Sequence, residues 1–398
     1  MLIRRKEFLK LGSLATGSLF IPGFLKAFER PALVPKGNKV AVVIQLSGGN
    51  DGLNTVIPYR NDLYYKGRPS LGIGRETALS LGDEAGLHPS LTHVKSLFDA
   101  GELGILNSVG YPNPDRSHFR SMDIWHTASP ADQVWQQGWI GRYLDAQCTG
   151  CDRPVRALEV DDVLSLAMKG QEEKGMAFRN ARDLFGNTQE PYFRALLNQH
   201  QDGEHGLADY LYKTMADTMS SADKIFKESK RHQTAASYPG TQLGQGLKTI
   251  ASLIFSDIET RVYYISLGSF DTHVNQNGQQ GRLFTELNDA LRSFTNDLKA
   301  NHRFEDVLIF TFSEFGRRVS QNASGGTDHG AANNMLLISG GLKEQGLLNA
   351  LPDLGDLRDG DLKHTVDFKQ VYATVLDKWL GADDKAILKG EYGKLGFV

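Results

Sequence analysis

Only two cysteines occur in the 398 residues, Cys148 and Cys151, and they form an isolated Cys-Thr-Gly-Cys. A zinc site needs two more soft ligands nearby, and a thioredoxin-like motif needs its own βαβ setting, so the pair supports neither chemistry. In an oxidising compartment it could close a local disulfide; otherwise it is structural or incidental. No Walker lysine follows the glycine-rich loops and no Gly-x-Gly-x-x-Gly opens a helix, which excludes the usual nucleotide cradles. The chain also has no Gly-x-Ser-x-Gly elbow, which argues against a Ser-His-Asp hydrolase. A net charge of -3, with no basic tract and no interleaving of aromatic and basic residues, makes nucleic acid an unexpected partner. Internal repeats and low-complexity tracts are missing too.

What remains describes a globular α/β protein. Apolar residues make up 40% of the chain, ample for one large core. The first thirty residues read as an export signal: Arg4, Arg5 and Lys6 precede Phe8-Leu9-Lys10, and a weakly apolar stretch follows from Leu11 to Leu25. This resembles a twin-arginine signal, with Arg5-Lys6 in register and Arg4 one place early. The stretch contains Pro22 and is short and polar for a membrane span. No small-x-small cleavage site stands out before Pro31, which leaves an uncleaved anchor open. An ordinary amphipathic first helix is the alternative. A twin-arginine route exports folded proteins, so the expected partner is that machinery and the expected location periplasmic or secreted.

Residues 38–398 are expected to form the α/β domain. Strands are expected at Val40–Leu46, Leu103–Val109, Val155–Val160, Val262–Leu267, Val307–Phe312 and Met335–Ser339, the first free of charge, as suits a strand buried on both faces. Helices are expected at Ser90–Ala100, from Ser117 or His118, at Gly138–Gln147, along Phe284 to Leu298, and at Asp367–Leu380 with Phe368, Val371, Tyr372, Val375, Leu376 and Trp379 on one stripe. From about Leu166 to Leu253 apolar runs thin out and helical spacing dominates, which reads as a helical insertion or cap.

Four of the apolar runs border acidic residues or histidines. They are VAVVIQL-SGGND ending at Asp51, RVYYISL-GSFDTH with Asp271 and His273, DVLIFTF-SE with Glu314, and TDHG-AANNMLLIS with Asp328 and His329. Ligands of open α/β sheets bind outside the carboxyl ends of the parallel strands. Carboxylates and imidazoles gathered there are what a divalent metal needs.

Gly48 and Gly49 let the chain turn close to a ligand beside Asp51, although Asn50-Asp51-Gly52 also fits a plain tight turn. Asp271 and His273, two positions apart, leave an extended segment on the same side and can reach one ion. Their oxygen and nitrogen donors suit zinc, manganese or iron better than calcium. A polar loop with one exposed histidine is the bland reading. Glu314 stands at a strand end; Arg317 could clamp an anionic substrate or pair with Glu314. Adjacent residues point apart, so His329 is expected to ligate, with Asp328 on another ion or orienting an imidazole. That grouping places His329 at the same edge if the strand after it runs antiparallel. Ser117-His118 opens a helix, where a hydroxyl is either a nucleophile toward a phosphate or sulfate ester or an ordinary N-cap.

The twin-arginine-like leader, LSGGNDGLNTVIPY, RSHFRSMDIW, GSFDTH, FTFSEFGRR, GGTDHG and VDFKQVYATVLDKWLG, in that order, resemble the bacterial family called domain of unknown function 1501. The resemblance spans nearly the whole chain after the leader, and its motifs are specific jointly rather than singly. That family is placed in the alkaline phosphatase-like superfamily with sulfatases, nucleotide pyrophosphatases and cofactor-independent phosphoglycerate mutases. The resemblance implies a mostly parallel central sheet with helices on both faces and one or two metal ions at its carboxyl edge. It matches Asp51 to a first-strand aspartate that bridges or binds the ions. It matches Asp271, His273 and His329 to the ligands of one ion, although relatives usually space the first two further apart. Glu314-Phe315 falls where relatives carry Asp-His for the second ion. Phe315 cannot ligate, so that site is incomplete or is completed by Asp328. Four residues before His118, where several relatives carry the nucleophile, stands Pro114, leaving Ser117 as the nearest hydroxyl.

These readings lead to an exported hydrolase-like protein acting on phosphate or sulfate esters. Zinc or manganese would be held by Asp51, Asp271, His273, Glu314, Asp328 and His329, with Ser117, His118 and Arg317 at the chemistry. The rival is a non-catalytic envelope protein that keeps the fold and one structural ion.

Overall fold

Val40–Leu46 (β1) is buried at all seven positions, and its side chains alternate between two cores. Val40, Val42, Ile44 and Leu46 join one core, while Ala41 and Val43 join the other. Burial on both faces is what an uncharged apolar run at the centre of a parallel sheet requires. A computed structural model describes residues 38–147, 156–191, 206–232, 234–256 and 258–398. The leader with its twin-arginine-like pattern, and the Cys148–Cys151 pair, lie outside the described residues.

The remaining strands of the main sheet are β2 (Leu103–Gly110), β3 (Ala157–Val160), β4 (Met176–Ala177), β5 (Val262–Leu267), β6 (Val307–Phe312), β7 (Asn333–Ile338), β8 (Gly346–Leu347) and β9 (Val366–Asp367). Their order is β8-β2-β7-β6-β1-β5-β3-β4, with β9 also beside β2. β1 runs parallel to β5 (Ala41 beside Val262) and to β6 (Val40 beside Val307). β7 is antiparallel to both β2 and β6, and the other pairings are parallel. The fold is thus an α/β sheet, mostly parallel. One reversed strand brings the start of β7 to the edge where β1, β2, β5 and β6 end.

Parallel neighbours need long crossovers, and here helices supply them on both faces. Helices Thr92–Asp99, Gln242–Phe255 and Gln276–Ala300 cover the first core, the last through Phe284, Leu287, Leu291, Phe294 and Leu298. Helices His118–Thr127, Trp139–Gln147 and Phe368–Thr374 cover the second. The helix expected over Asp367–Leu380 keeps its buried stripe but widens into a π turn at Val375–Trp379, where the Leu380 amide donates to the Val375 carbonyl at 2.9 Å. Within 166–253, the described residues are mostly helical. Met176–Ala177 is nonetheless a strand, and Gln242–Phe255 lies in the layer covering the sheet.

One buried acid gives the fold a testable pH dependence. Burial pushes the Glu159 carboxyl in β3 up to about 7, with the Ser165 amide bond opposing. Its folded value lies above the ordinary 4.5, so between those values the folded chain keeps a proton that the unfolded chain has released. Stability therefore falls as pH rises through that window. Glu159→Gln, whose amide oxygen can still accept from Ser165, should gain on the order of 2 kcal/mol over the native chain at pH ~8 and little at pH ~4.5. Thermal melts at both pH values check this; an equal offset at both contradicts it.

Candidate metal centre

The turn leaving β1 needs its glycines. Gly48 has φ +115°, and a Cβ there would lie 2.5 Å from the Asp271 amide nitrogen. That close approach joins the β1 and β5 loops, and the Gly48 amide donates to Glu314 Oε1 at 2.8 Å after β6. Four sheet-edge segments and the start of helix His118–Thr127 meet here.

Asp51 is at this edge, but its carboxylate is already taken up by protein partners, where a metal donor was expected. Its side chain is 1% exposed and fully occupied. It caps the short helix Gly52–Thr55 by accepting from the Leu53 amide at 3.1 Å, accepts from both terminal nitrogens of Arg68, and accepts from the Gln276 amide. A carboxylate this deep requires such pairing, because an unpaired buried charge is very costly. Nothing in the sequence around Arg68 signals that partnership.

Arg317 is likewise engaged by the protein. It is 1% exposed and binds the protein rather than a substrate. It donates to the carbonyls of Gly49 (2.6 Å), Gly48, Thr327 (2.9 Å) and Phe270 (3.0 Å), and to Asp271 Oδ1 at 2.7 Å. The planar fork of guanidinium ties three loops together and holds Asp271. Its carboxylate partner is Asp271, not Glu314.

Around Asp271 three imidazoles converge. His273 Nε2 lies 3.0 Å and His329 Nε2 3.2 Å from Asp271 Oδ1, and His118 Nε2 lies 3.6 Å from Oδ2. Donor atoms of His118, Asp271 and His329 all fall within 4.8 Å of one another. Behind each ring stands an oxygen facing Nδ1. Glu314 Oε1 is 2.9 Å from His118, the Arg116 carbonyl 2.8 Å from His329, and Asp328 Oδ1 3.4 Å from His273. With Nδ1 donating in each ring, the three Nε2 atoms would turn lone pairs toward an ion beside Asp271; without one, His329 Nε2 donates to Asp271 Oδ1 instead.

Glu314 and Asp328 therefore stand behind histidines and orient them, rather than sharing the ring of donors. Glu314, expected as a ligand, is 1% exposed and bonded to the Gly48 amide and His118. For Asp328, the orienting alternative fits the geometry. His118, expected at the chemistry, joins the donors instead. Sequence reasoning did not place it among the candidate ligands because it follows a loop and not a strand. Ser117 is exposed and holds the N-cap position of the helix, but its hydroxyl makes no capping bond. Phe315 packs between two rings, its centroid 4.8 Å from His118 and 4.5 Å from His329.

The electrostatics suit a cation. His273 Nε2 and His329 Nε2 lie 3.0 Å apart beside a carboxylate, so one of them must carry a proton for the pair to be satisfied without an ion. A proton relieves one such contact, whereas a divalent ion could take His118, Asp271 and His329 together, with His273 beside them. Burial would raise Asp271, but the bonds from Arg317 and His329 prevail and hold its carboxyl at about 2. His118 is raised above the usual imidazole range, chiefly by its bond to Glu314, with burial opposing. Three nitrogens and one carboxylate are a donor set for zinc, manganese or iron, so the residues fit the expected ion.

The model of a family described as a protein of unknown function (DUF1501) matches residues 100–395. The chain belongs to that family. The matched span contains all four residues of the centre, while Asp51 and Arg68 precede it. No curated protein matches the sequence. Among solved structures, this family member is similar to a sulfatase from Pseudoalteromonas sp. at 13% identity and TM-score 0.41, covering 94% of this chain and 76% of that one. A lipoteichoic acid synthase from Listeria monocytogenes matches at 8% identity and TM-score 0.41, covering 90% and 76%. A phosphonate monoester hydrolase from Silicibacter pomeroyi matches at 9% identity and TM-score 0.41, covering 89% and 77%. At these identities and scores the likeness transfers no activity. Among the described residues no helix is long and apolar enough to cross a membrane.

Proposed function

We propose that the protein is an exported, metal-dependent hydrolase of phosphate or sulfate esters, with one divalent ion held by His118, Asp271, His273 and His329. The observation that carries this reading is the convergence of three imidazole Nε2 atoms on one carboxylate, each imidazole fixed from behind by an oxygen. A bound ion supplies positive charge that polarises an ester oxygen and acidifies water. The chain's own part is to hold that charge open to solvent. The side chains of His118, His273 and Asp271 are 35%, 41% and 46% exposed, enough for an ester to approach. Ser117 sets a hydroxyl at the N-terminus of a ten-residue helix, where developing anionic charge is favoured. Phe119, 88% exposed, and Val274, 61% exposed, flank His118 and His273 in sequence and give the organic part of a substrate an apolar surface.

A panel of aryl phosphates, phosphate diesters and aryl sulfates, with added zinc or manganese, tests the proposal. Hydrolysis that a chelator and His329→Ala both abolish supports it. Silence across the panel with the ion bound favours the second reading, a non-catalytic envelope protein with a structural ion. The saturation of Asp51 by Arg68 favours that second reading, because among the described residues it leaves no second cluster beside the first. Fractionation of expressing cells tests export.

Proton competition makes the centre pH-sensitive. Below its raised pKa His118 carries a proton on the nitrogen that must ligate, so ion affinity should rise with pH through that value. Glu314→Gln should move the His118 titration to lower pH, followed by its NMR resonance. It should also weaken ion binding by about 10- to 100-fold, the usual cost of losing a partner behind a ligand. An unchanged titration contradicts the assigned pairing.

A further inference from the structure

A second concave site lies along the carboxyl edge of the sheet, beside Val160 at the end of β3. It is a cleft of about 500 Å3 between helices Ala181–Thr188, Gly206–Arg231 and Gln242–Phe255. Arg179, Arg182, Lys230 and Lys248 line it, with Asp183 as the carboxylate among the lining residues. Arg179 is partly engaged, 3.3 Å from Asp162 and 3.3 Å from the Gln242 side-chain oxygen. Lys230 stands 4.4 Å over the Phe226 ring. Arg182 and Lys248 make no ion pair among the described residues. Counting Asp162 and Asp183 against the four cations still leaves two positive charges in excess, in a chain whose net charge is -3.

Backbone dipoles add to these charges. Two helices begin at the cleft. Asn180 caps the first by accepting from the Arg182 amide, and Thr241 caps the second by accepting from the Gly244 amide. Residues of both first turns, Ala181 to Asp183 and Gln242, line the cavity, so the positive ends of both helix dipoles open into it. The third helix, Gly206–Arg231, ends at the cleft and sets the negative end of its dipole against one of these, so the positive potential rests chiefly on the side-chain cations, for which an anion is the complementary ligand. The volume falls in the range of small-molecule pockets, larger than one oxyanion fills.

We propose that this cleft binds a small molecule carrying two or more phosphate or sulfate groups. The proposal does not depend on the metal centre. Calorimetric titration of the full chain with tripolyphosphate, and separately with a trisulfated disaccharide, tests it and distinguishes a phosphate ligand from a sulfate one. At least one probe should bind, and more weakly as salt rises. Arg182→Gln with Lys248→Gln should weaken binding about tenfold for each charge removed, while Asp271→Asn leaves it unchanged. Lys248→Gln alone gives the same reading should the double variant melt early. The proposal is overturned if neither probe binds, if the variants bind like the native chain, or if a single-stranded oligonucleotide displaces both probes.

Discussion

Replacing Arg68 with alanine is expected to destabilise the fold by about 3–5 kcal/mol, the usual cost of removing one partner from a buried ion pair. Arg68 and Asp51 are 0% and 1% exposed, so the lost contacts leave a buried carboxylate without its counter-charge. Arg68 also donates to Asn54 at 2.8 Å and to the carbonyls of Val319 and Arg318 at 2.9 Å each, tying the first loop to the segment after β6. Urea midpoints measure the loss. Adding Asp51→Asn to Arg68→Ala should recover part of it, because the stranded carboxylate is gone, and the double-mutant cycle isolates the pairing. The same variant separates two roles for Asp51. A ligand changed to Asn loses ion affinity, whereas a structural aspartate changed to Asn leaves it within about threefold wherever the chain still folds. The second outcome is expected.

Asp271→Asn should behave in the opposite way. The amide oxygen still accepts from Arg317, and Arg317 keeps its four carbonyl acceptors, so the variant should fold with nearly native stability. What disappears is the negative charge facing three imidazoles. Ion affinity should fall by about 100-fold or more, beyond the 10- to 100-fold typical for partners behind a ligand, and any hydrolysis should fall with it. Competition with a coloured chelator measures the first effect and thermal melting the second. A variant that binds the ion like the native chain would remove Asp271 from the centre.

Strands were the most legible part of the chain. β1, β5 and β6 begin and end where their uncharged, mostly apolar runs do, each with a single polar residue (Gln45, Ser266, Thr311), because strands buried on both faces exclude charge. The reversal of β7 was foreseen only as the condition that would bring His329 to the other histidines, and that condition is met. The gathering of Asp271, His273 and His329 was therefore readable from strand ends and spacing. The roles of Asp51, Glu314 and Arg317 were not, since a strand end fixes where a residue stands but not which way its side chain turns. Glu314 turns back to the Gly48 amide and His118, and Arg317 turns inward to four carbonyls. Asp51 is claimed by Arg68, seventeen positions later, through a contact that no local pattern marks. His118 escaped notice as a ligand for a related reason: it reaches the centre from a helix that follows β2, across the reversed strand.

The most direct test is the ion content of the purified chain after loading with zinc or manganese and exhaustive dialysis, read by elemental analysis beside Asp271→Asn and Asp51→Asn. The account predicts one ion per folded chain, lost in Asp271→Asn and kept in Asp51→Asn. No retained ion in the native chain, or an ion held through loss of Asp271 and released through loss of Asp51, would contradict it.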